Sequence, residues 1–508
     1  MTDKRDYRSA AEVAASVRDG ERSAAEVVGN CLDRIDARND ATGAFCTVAT
    51  ERAREKAREI DAAIENGEDV GPLSGVPVGV KDLIDVAGVR TTYGSVAFAE
   101  HVPEESDVVV SRLEAAGAVV VGKTNTPEFG RKPMTTNQLF ATTSNPWDTD
   151  RTAGGSSGGS AAALADGLVP LALGTDAAGS IRIPSSACGT YGLVPDFGRV
   201  PHGNSRTDAF VELQPYNHVA PMSRTVADTA LALDVLAGPY PADPYSLPDR
   251  SGESYYEVVR SVADGSAPNR SDSDTSYIES DESGGDALAG VEIAYSPNLG
   301  IGRYDAAVEA AVAEAVETFE AAGATVEQVE EVLDASWETL FDALSTVLQV
   351  RYAGLYDDLR RNAGIDLLDP GEEATKEVVS RIEKARRVSA IEFKRAERVR
   401  TAAYDAIRDL FDRYDLLCTP LLSIVPFEKG AKPTEIGGEA VHPLHGWHLA
   451  WPFNLTGHPA ASIPAGFVEG IPVGLQVVGP RLADEAVLRA SAAFESERPQ
   501  RDAYTPQR

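Results

Sequence analysis

The spacing of apolar positions changes several times along the chain. Residues 1–66 read as helices. Ser9-Ala-Ala-Glu12 and Ser23-Ala-Ala-Glu26 each place a hydroxyl three residues ahead of a carboxylate, the pattern of a capping box, and Gly20 punctuates between them. A third amphipathic helix is predicted from Glu51 to Ile64. The texture then shortens, with a turn and a short apolar strand across Pro72–Asp82, a helix over 107–117 and a strand over 118–121 leading to Lys123. Gly, Ser, Thr and Ala dominate from 140 to 200, where an Ala-rich helix is predicted from Ala161 and an apolar strand over 169–173; a helix over 225–236 closes this block. Residues 243–290 are polar and acidic, including Ser271-Asp-Ser-Asp-Thr-Ser276, and with little apolar surface to bury they are expected to form a mobile surface insertion. A strand over 291–295 follows, then long helices over 305–322, 333–361 and 371–413, a strand over 416–420, apolar runs at 460–464 and 470–476, and a terminal helix from Asp484. Strands alternating with helices predict an α/β protein. No internal repeat or clean linker divides the chain, so one domain over 1–508 is expected.

Charge narrows the functional classes. The 508 residues carry 47 Lys and Arg against 79 Asp and Glu, a net charge of −32, and no basic run stands out. Nucleic-acid binding is built from clustered cations, so it is not expected here. Only ten of the cations are lysine, and an acidic, Lys-poor surface suits solubility at high salt, where counterions screen self-repulsion. The first residues lack an apolar signal core, no 18 apolar residues run together, and Cys31, Cys46, Cys188 and Cys418 are scattered without metal or redox spacing. A cytoplasmic protein without membrane spans is expected.

The densest chemical signal is Gly154-Gly-Ser-Ser-Gly-Gly-Ser160. A phosphate-binding loop would end in Gly-Lys-Ser/Thr, whereas Ala-Ala follows here. Gly155-Ser-Ser157-Gly-Gly159 matches G-x-S-x-G formally, but turn-forming residues precede it where a nucleophile elbow requires a strand. A second cluster, Gly174-Thr-Asp176-Ala-Ala-Gly179-Ser180-Ile-Arg182, delivers a strand into a tight turn of small residues ending in a hydroxyl. The backbone N–H groups of Ala177, Ala178, Gly179 and Ser180 can cup an oxyanion there, with Asp176 and Arg182 bracketing the turn. A serine nucleophile needs a base. None of the seven histidines lies in a triad-like motif, and His442, His445 and His448, interrupted by Pro443 and Gly446, read as pocket-wall residues rather than metal ligands. The remaining candidate base is Lys81 on its apolar strand, where desolvation would favour the neutral amine.

Five motifs in order, Gly75-Val-Pro-Val-Gly-Val-Lys-Asp82, Gly122-Lys-Thr-Asn-Thr-Pro-Glu-Phe129, Asn145-Pro-Trp147, Gly154-Gly-Ser-Ser-Gly-Gly159 and Gly174-Thr-Asp…Gly-Ser-Ile-Arg182, resemble the amidase signature family, and the likeness continues through Phe453-Asn-Leu-Thr-Gly-His-Pro459. The resemblance implies a mixed central β-sheet covered by helices on both faces. It further implies a Ser–Ser–Lys triad with Ser180 as nucleophile, Ser156 as bridge and Lys81 as base, a cis Gly155–Ser156 peptide, and Ser157 supporting the network. The implied activity is hydrolysis of a small-molecule carboxylic amide through a seryl acyl-enzyme, with neither metal nor organic cofactor and neither nucleic acid nor membrane as partner. The alternative within the family is the A subunit of a tRNA-dependent amidotransferase, which releases ammonia from glutamine. That subunit's usual Ser-Asp-Thr-Gly-Gly-Ser-Ile-Arg-Gln differs from Thr175-Asp-Ala-Ala-Gly-Ser-Ile-Arg-Ile183. Ala178 stands where the family has glycine, which would strain a left-handed backbone at that position. Val194-Pro-Asp196 replaces the common Lys-Pro-Thr/Ser. Substrate walls are expected from the helical region 305–413 and the loop around Trp447 and Trp451, and the N-terminal helices are available for a homodimer.

Overall fold

The computed structural model describes residues 5–214, 216–250, 252, 254–265, 287–369, 374–499 and 503–506. Apolar runs from both ends of the chain enter one mixed sheet of eleven strands flanked by helices. Its spatial order is Phe45–Val48, Val119–Thr124, Pro77–Lys81, Leu171–Asp176, His218–Ser223, Tyr191–Val194, Ala460–Val468, Ile471–Val478, Leu416–Pro420, Glu292–Tyr295 and Thr325–Gln328. Pro77–Lys81 runs parallel to both neighbours, Val119–Thr124 and Leu171–Asp176, so these strands end on the same edge. The carboxyl end of parallel strands is where α/β proteins gather reactive groups. His218–Ser223 and the strands beyond it as far as Leu416–Pro420 pair antiparallel.

Local sequence explains most element ends. Ser9 and Glu12 make both halves of a capping box on helix Ala10–Arg18. Ser23 caps helix Ala24–Thr42 by accepting from the Glu26 N–H, while the Glu26 carboxylate pairs with Arg22 instead of closing the box. The apolar stripes of these helices, Val13, Val17, Val28, Cys31 and Ile35 among them, are buried in the main core. The expected strand at 169–173 begins later, at Leu171, because Pro170 lacks the N–H a central strand needs.

Two helical expectations require correction. The region 371–413 forms two helices, Lys376–Ala385 and Ala390–Leu410, the second restarted by a capping box between Ser389 and Glu392. The polar stretch 243–290 is not wholly a mobile insertion: Tyr255–Ala263 is a helix capped by Ser254, with Tyr255, Val258, Val259 and Val262 buried. Those four positions form an apolar stripe at helical spacing that the acidic composition of the stretch conceals. Residues 266–286 lie outside the described residues. Among the described residues no helix is long and apolar enough to cross a membrane.

Candidate active site

Lys81 is the last residue of its strand, and its neighbour Leu171–Asp176 ends beside it. Its side chain is fully buried. Nζ lies 2.7 Å from Ser156 Oγ, 2.8 Å from Ser157 Oγ, 2.8 Å from Thr175 Oγ1 and 3.2 Å from the Thr175 carbonyl oxygen. Burial holds the Lys81 pKa well below the ordinary lysine value; Asp176 works against this and the positive charge of Arg351 adds to it. A second buried lysine, Lys123, has a different environment, with Asp82 3.6 Å away and a 2.7 Å hydrogen bond to Thr91 Oγ1. Lys81 therefore stands out as the buried amine surrounded by hydroxyls rather than by a carboxylate.

The glycine-rich loop presents Ser156 to Lys81. The Gly155–Ser156 peptide is cis. Thr135 Oγ1 donates to the Gly154 carbonyl at 3.0 Å and accepts from the Gly158 N–H at 3.1 Å, clasping the loop from outside. Ser157 opens helix Gly158–Ala165, donates its hydroxyl to the Thr175 carbonyl at 3.2 Å and accepts from the Thr175 N–H at 3.3 Å. The Ser157 N–H donates to the Ser180 carbonyl at 3.0 Å, which joins this loop to the second cluster.

Asp176 organises the turn that carries Ser180. Its carboxylate accepts from the N–H groups of Gly179 at 2.6 Å and Ile181 at 3.0 Å, and from the Arg182 guanidinium at 3.1 and 3.2 Å. Burial alone would raise the Asp176 pKa, but Arg182 and these donors hold it well below the usual carboxylate range. Both side chains are fully buried, so this pair differs from an exposed one: removing either partner would strand a charge. Arg182 also donates to Gln476 Oε1 at 2.7 Å and Asn454 Oδ1 at 2.6 Å, and Asn454 Nδ2 donates to Asp176 Oδ1 at 2.8 Å.

This arrangement revises two expectations about the oxyanion cup. The Gly179 N–H is already engaged by Asp176, leaving the N–H groups of Ala177, Ala178 and Ser180 without hydrogen-bond partners among the described residues. The left-handed residue is Gly179, at φ +102°, and not Ala178, so alanine at 178 carries no backbone strain. The Ser180 hydroxyl is half-buried and also has no partner among the described residues.

Sequence reasoning missed Thr175, Asn454, Gln476 and Arg351. Thr175 and Asn454 lie inside the family-like motifs, but the need for a buried guanidinium to find neutral oxygen acceptors becomes visible only once Arg182 is known to be inside. Arg351 belongs to helix Trp337–Asp358, whose Val347 carbonyl accepts from Tyr216 Oη at 3.2 Å. His445 Nδ1 and His448 Nε2 lie 3.2 Å apart within a set of aromatic rings.

A family model described as Amidase matches residues 26–488. The chain belongs to the Amidase family. It is 36% identical over 500 residues to an acylamidase of Rhodococcus erythropolis, covering 98% of this chain and 96% of the relative. It is also 36% identical over 513 residues to the A subunit of a glutamyl-tRNA(Gln) amidotransferase from Salinispora tropica, covering 98% of each. Among solved structures, a bacterial aryl acylamidase of the amidase signature family superposes with a TM-score of 0.88 at 33% identity over 98% of both chains. A 6-aminohexanoate cyclic dimer hydrolase with bound substrate gives 0.84 at 28% identity over 99% of both. As an Amidase-family member the chain is a hydrolase acting on carbon–nitrogen amide bonds, with the large mixed sheet of its relatives.

Proposed function

We propose that this amidase works without a partner protein, hydrolysing small-molecule carboxylic amides to the acid and an amine or ammonia through an acyl-enzyme on Ser180. The observation that carries the reading is a fully buried lysine, without a carboxylate in contact among the described residues, set 2.7 Å from the Ser156 hydroxyl. A neutral Lys81 takes the proton of Ser156 as Ser156 takes that of Ser180, which turns onto it in the reacting complex. Ser180 Oγ bonds to the amide carbon, and the free N–H groups of Ala177, Ala178 and Ser180 receive the oxyanion. The carbon–nitrogen bond then breaks as the relay returns the proton to the departing nitrogen. Water attacks the ester and gives its proton to the relay, which returns it to the Ser180 oxygen as that oxygen leaves and the acid is released.

The ammonia-releasing component of a tRNA-dependent amidotransferase is the second reading, favoured by an equally high identity to such proteins. Ala177-Ala178 in the turn that carries Ser180 and the better superposition on an aryl acylamidase, TM-score 0.88 against 0.73 for an amidotransferase A subunit from Thermotoga maritima, support the free-standing enzyme. The purified chain alone is expected to release amine from plain alkyl and aryl amides, and Lys81→Ala and Ser180→Ala should each lower kcat by at least about 10³-fold. Release of ammonia from glutamine only after a second protein is added would decide for the other reading.

A further inference from the structure

We infer that the half-buried Trp337–Phe341 stack and His442 form a slot for an aromatic ring on the acyl side of the substrate, making arylacyl amides the preferred class. The inference rests on the amide-hydrolysis reading above and extends it to specificity.

The direction of the two substrate halves follows from the relay. The departing nitrogen must reach the proton held on Ser156. That hydroxyl borders Gly130, where an added Cβ would lie 3.4 Å from Ser156 Oγ. The amine half therefore occupies the Phe129–Gly130 side. With the carbonyl carbon on Ser180 and its oxygen in the turn, the acyl substituent points away from Ser156, toward Ala177 and Ala178.

Aromatic rings stand on that side. Ala178, Trp337 and Phe341 all pack against the buried cluster containing Leu449 and Trp451. The loop preceding Trp451 is seated directly on the nucleophile turn, since a Cβ at Gly179 would come 2.5 Å from Ala450 Cβ. Trp337 and Phe341 stack with centroids 4.6 Å apart and planes 18° from parallel. His442 lies 4.7 Å from Phe341 and 5.6 Å from Trp337, and Trp451 meets Trp337 edge-on at 6.2 Å.

Burial differs across this array. Trp451, Trp447 and Leu449 are buried to within 2%, whereas Trp337, Phe341 and His442 are half-buried. The inner wall is completed by protein and the outer face is not. The Trp451 indole N–H on that inner wall is fully buried with no hydrogen-bond acceptor among the described residues. The imidazoles of the wall are neutral near neutral pH, because burial and the positive charge of Arg381 lower the pKa of His442 and His445, and burial brings that of His448 to about 3. Uncharged faces and edges at these spacings suit a neutral ring, which gains from offset or edge-on partners beyond its area burial.

The test compares ring chemistry at constant size. Benzamide and phenylacetamide are measured against cyclohexanecarboxamide, with acetanilide as the substrate whose ring lies in the amine. The expected result is a kcat/KM for benzamide at least tenfold above that for the saturated ring, with the ratio falling toward one in Phe341→Leu and Trp337→Leu. Binding is read separately on Ser180→Ala by titrating benzoate and cyclohexanecarboxylate. Tighter benzoate binding that Trp337→Leu abolishes supports the slot even if no amide is turned over, an outcome that would instead refute the hydrolytic reading. Equal binding of the two acids, equal turnover of the two rings, or a ring preference seen only with acetanilide overturns the slot.

Discussion

At the residue scale the chemistry proposed here depends on keeping one amine uncharged. Lys81 has hydroxyl and carbonyl neighbours and no carboxylate in contact among the described residues, and Arg351 of helix Trp337–Asp358 contributes positive charge. Removing that charge makes protonation of Lys81 easier and raises its pKa. In Arg351→Gln the acidic limb of the kcat/KM profile is therefore expected to move to higher pH, with the alkaline plateau retained. A profile that stays in place would remove Arg351 from the electrostatics of the base. The candidate base was legible in the sequence as an apolar strand ending in lysine. Its discrimination from Lys123 was not, because that depends on which lysine meets Asp82, and the contact lies across strands.

At the scale of elements, the nucleophile turn shows which features a local reading can reach. The strand, the small-residue turn and the ion pair of Asp176 with Arg182 were readable from Gly174–Arg182, but the burial of that pair was not. It depends on Asn454 and Gln476, which lie 272 and 294 residues beyond Arg182. The helix Tyr255–Ala263 was overlooked because mean composition masks periodicity, and the break at 386–389 because an amphipathic pattern can run on across a fresh N-cap. The turn also yields a prediction. At Gly179 an alanine would meet both the positive φ of +102° and an atom 2.5 Å away, so Gly179→Ala should displace the N–H donors. Activity is expected to fall by at least about 10²-fold, the scale of losing one oxyanion donor. Far-ultraviolet circular dichroism should stay native-like, and a fully active variant would show that the turn tolerates a Cβ.

At the scale of the molecule, 79 acidic against 47 basic residues leave a net charge of −32. Self-repulsion at this charge is long-ranged in dilute buffer and short-ranged at molar salt, where the screening length is about 3 Å. Thermal stability and amide turnover are expected to rise together between about 0.1 and 2 M KCl. A melting temperature that is flat or falling across that range would count against a salt-adapted surface. The acylamide hydrolases and the amidotransferase components that align with this chain do so along almost its full length, so the difference between these branches must lie in walls and surfaces rather than in added domains.

The four-residue knot of Asp176, Arg182, Asn454 and Gln476 has a consequence for biosynthesis. Lys81, Ser156 and Ser180 are translated early, whereas the amide oxygens that complete the guanidinium's shell follow Arg182 by 272 and 294 residues. Until helix Trp451–Thr456 and strand Ile471–Val478 dock, the Arg182 guanidinium lacks these acceptors and the turn that carries Ser180 lacks its clamp.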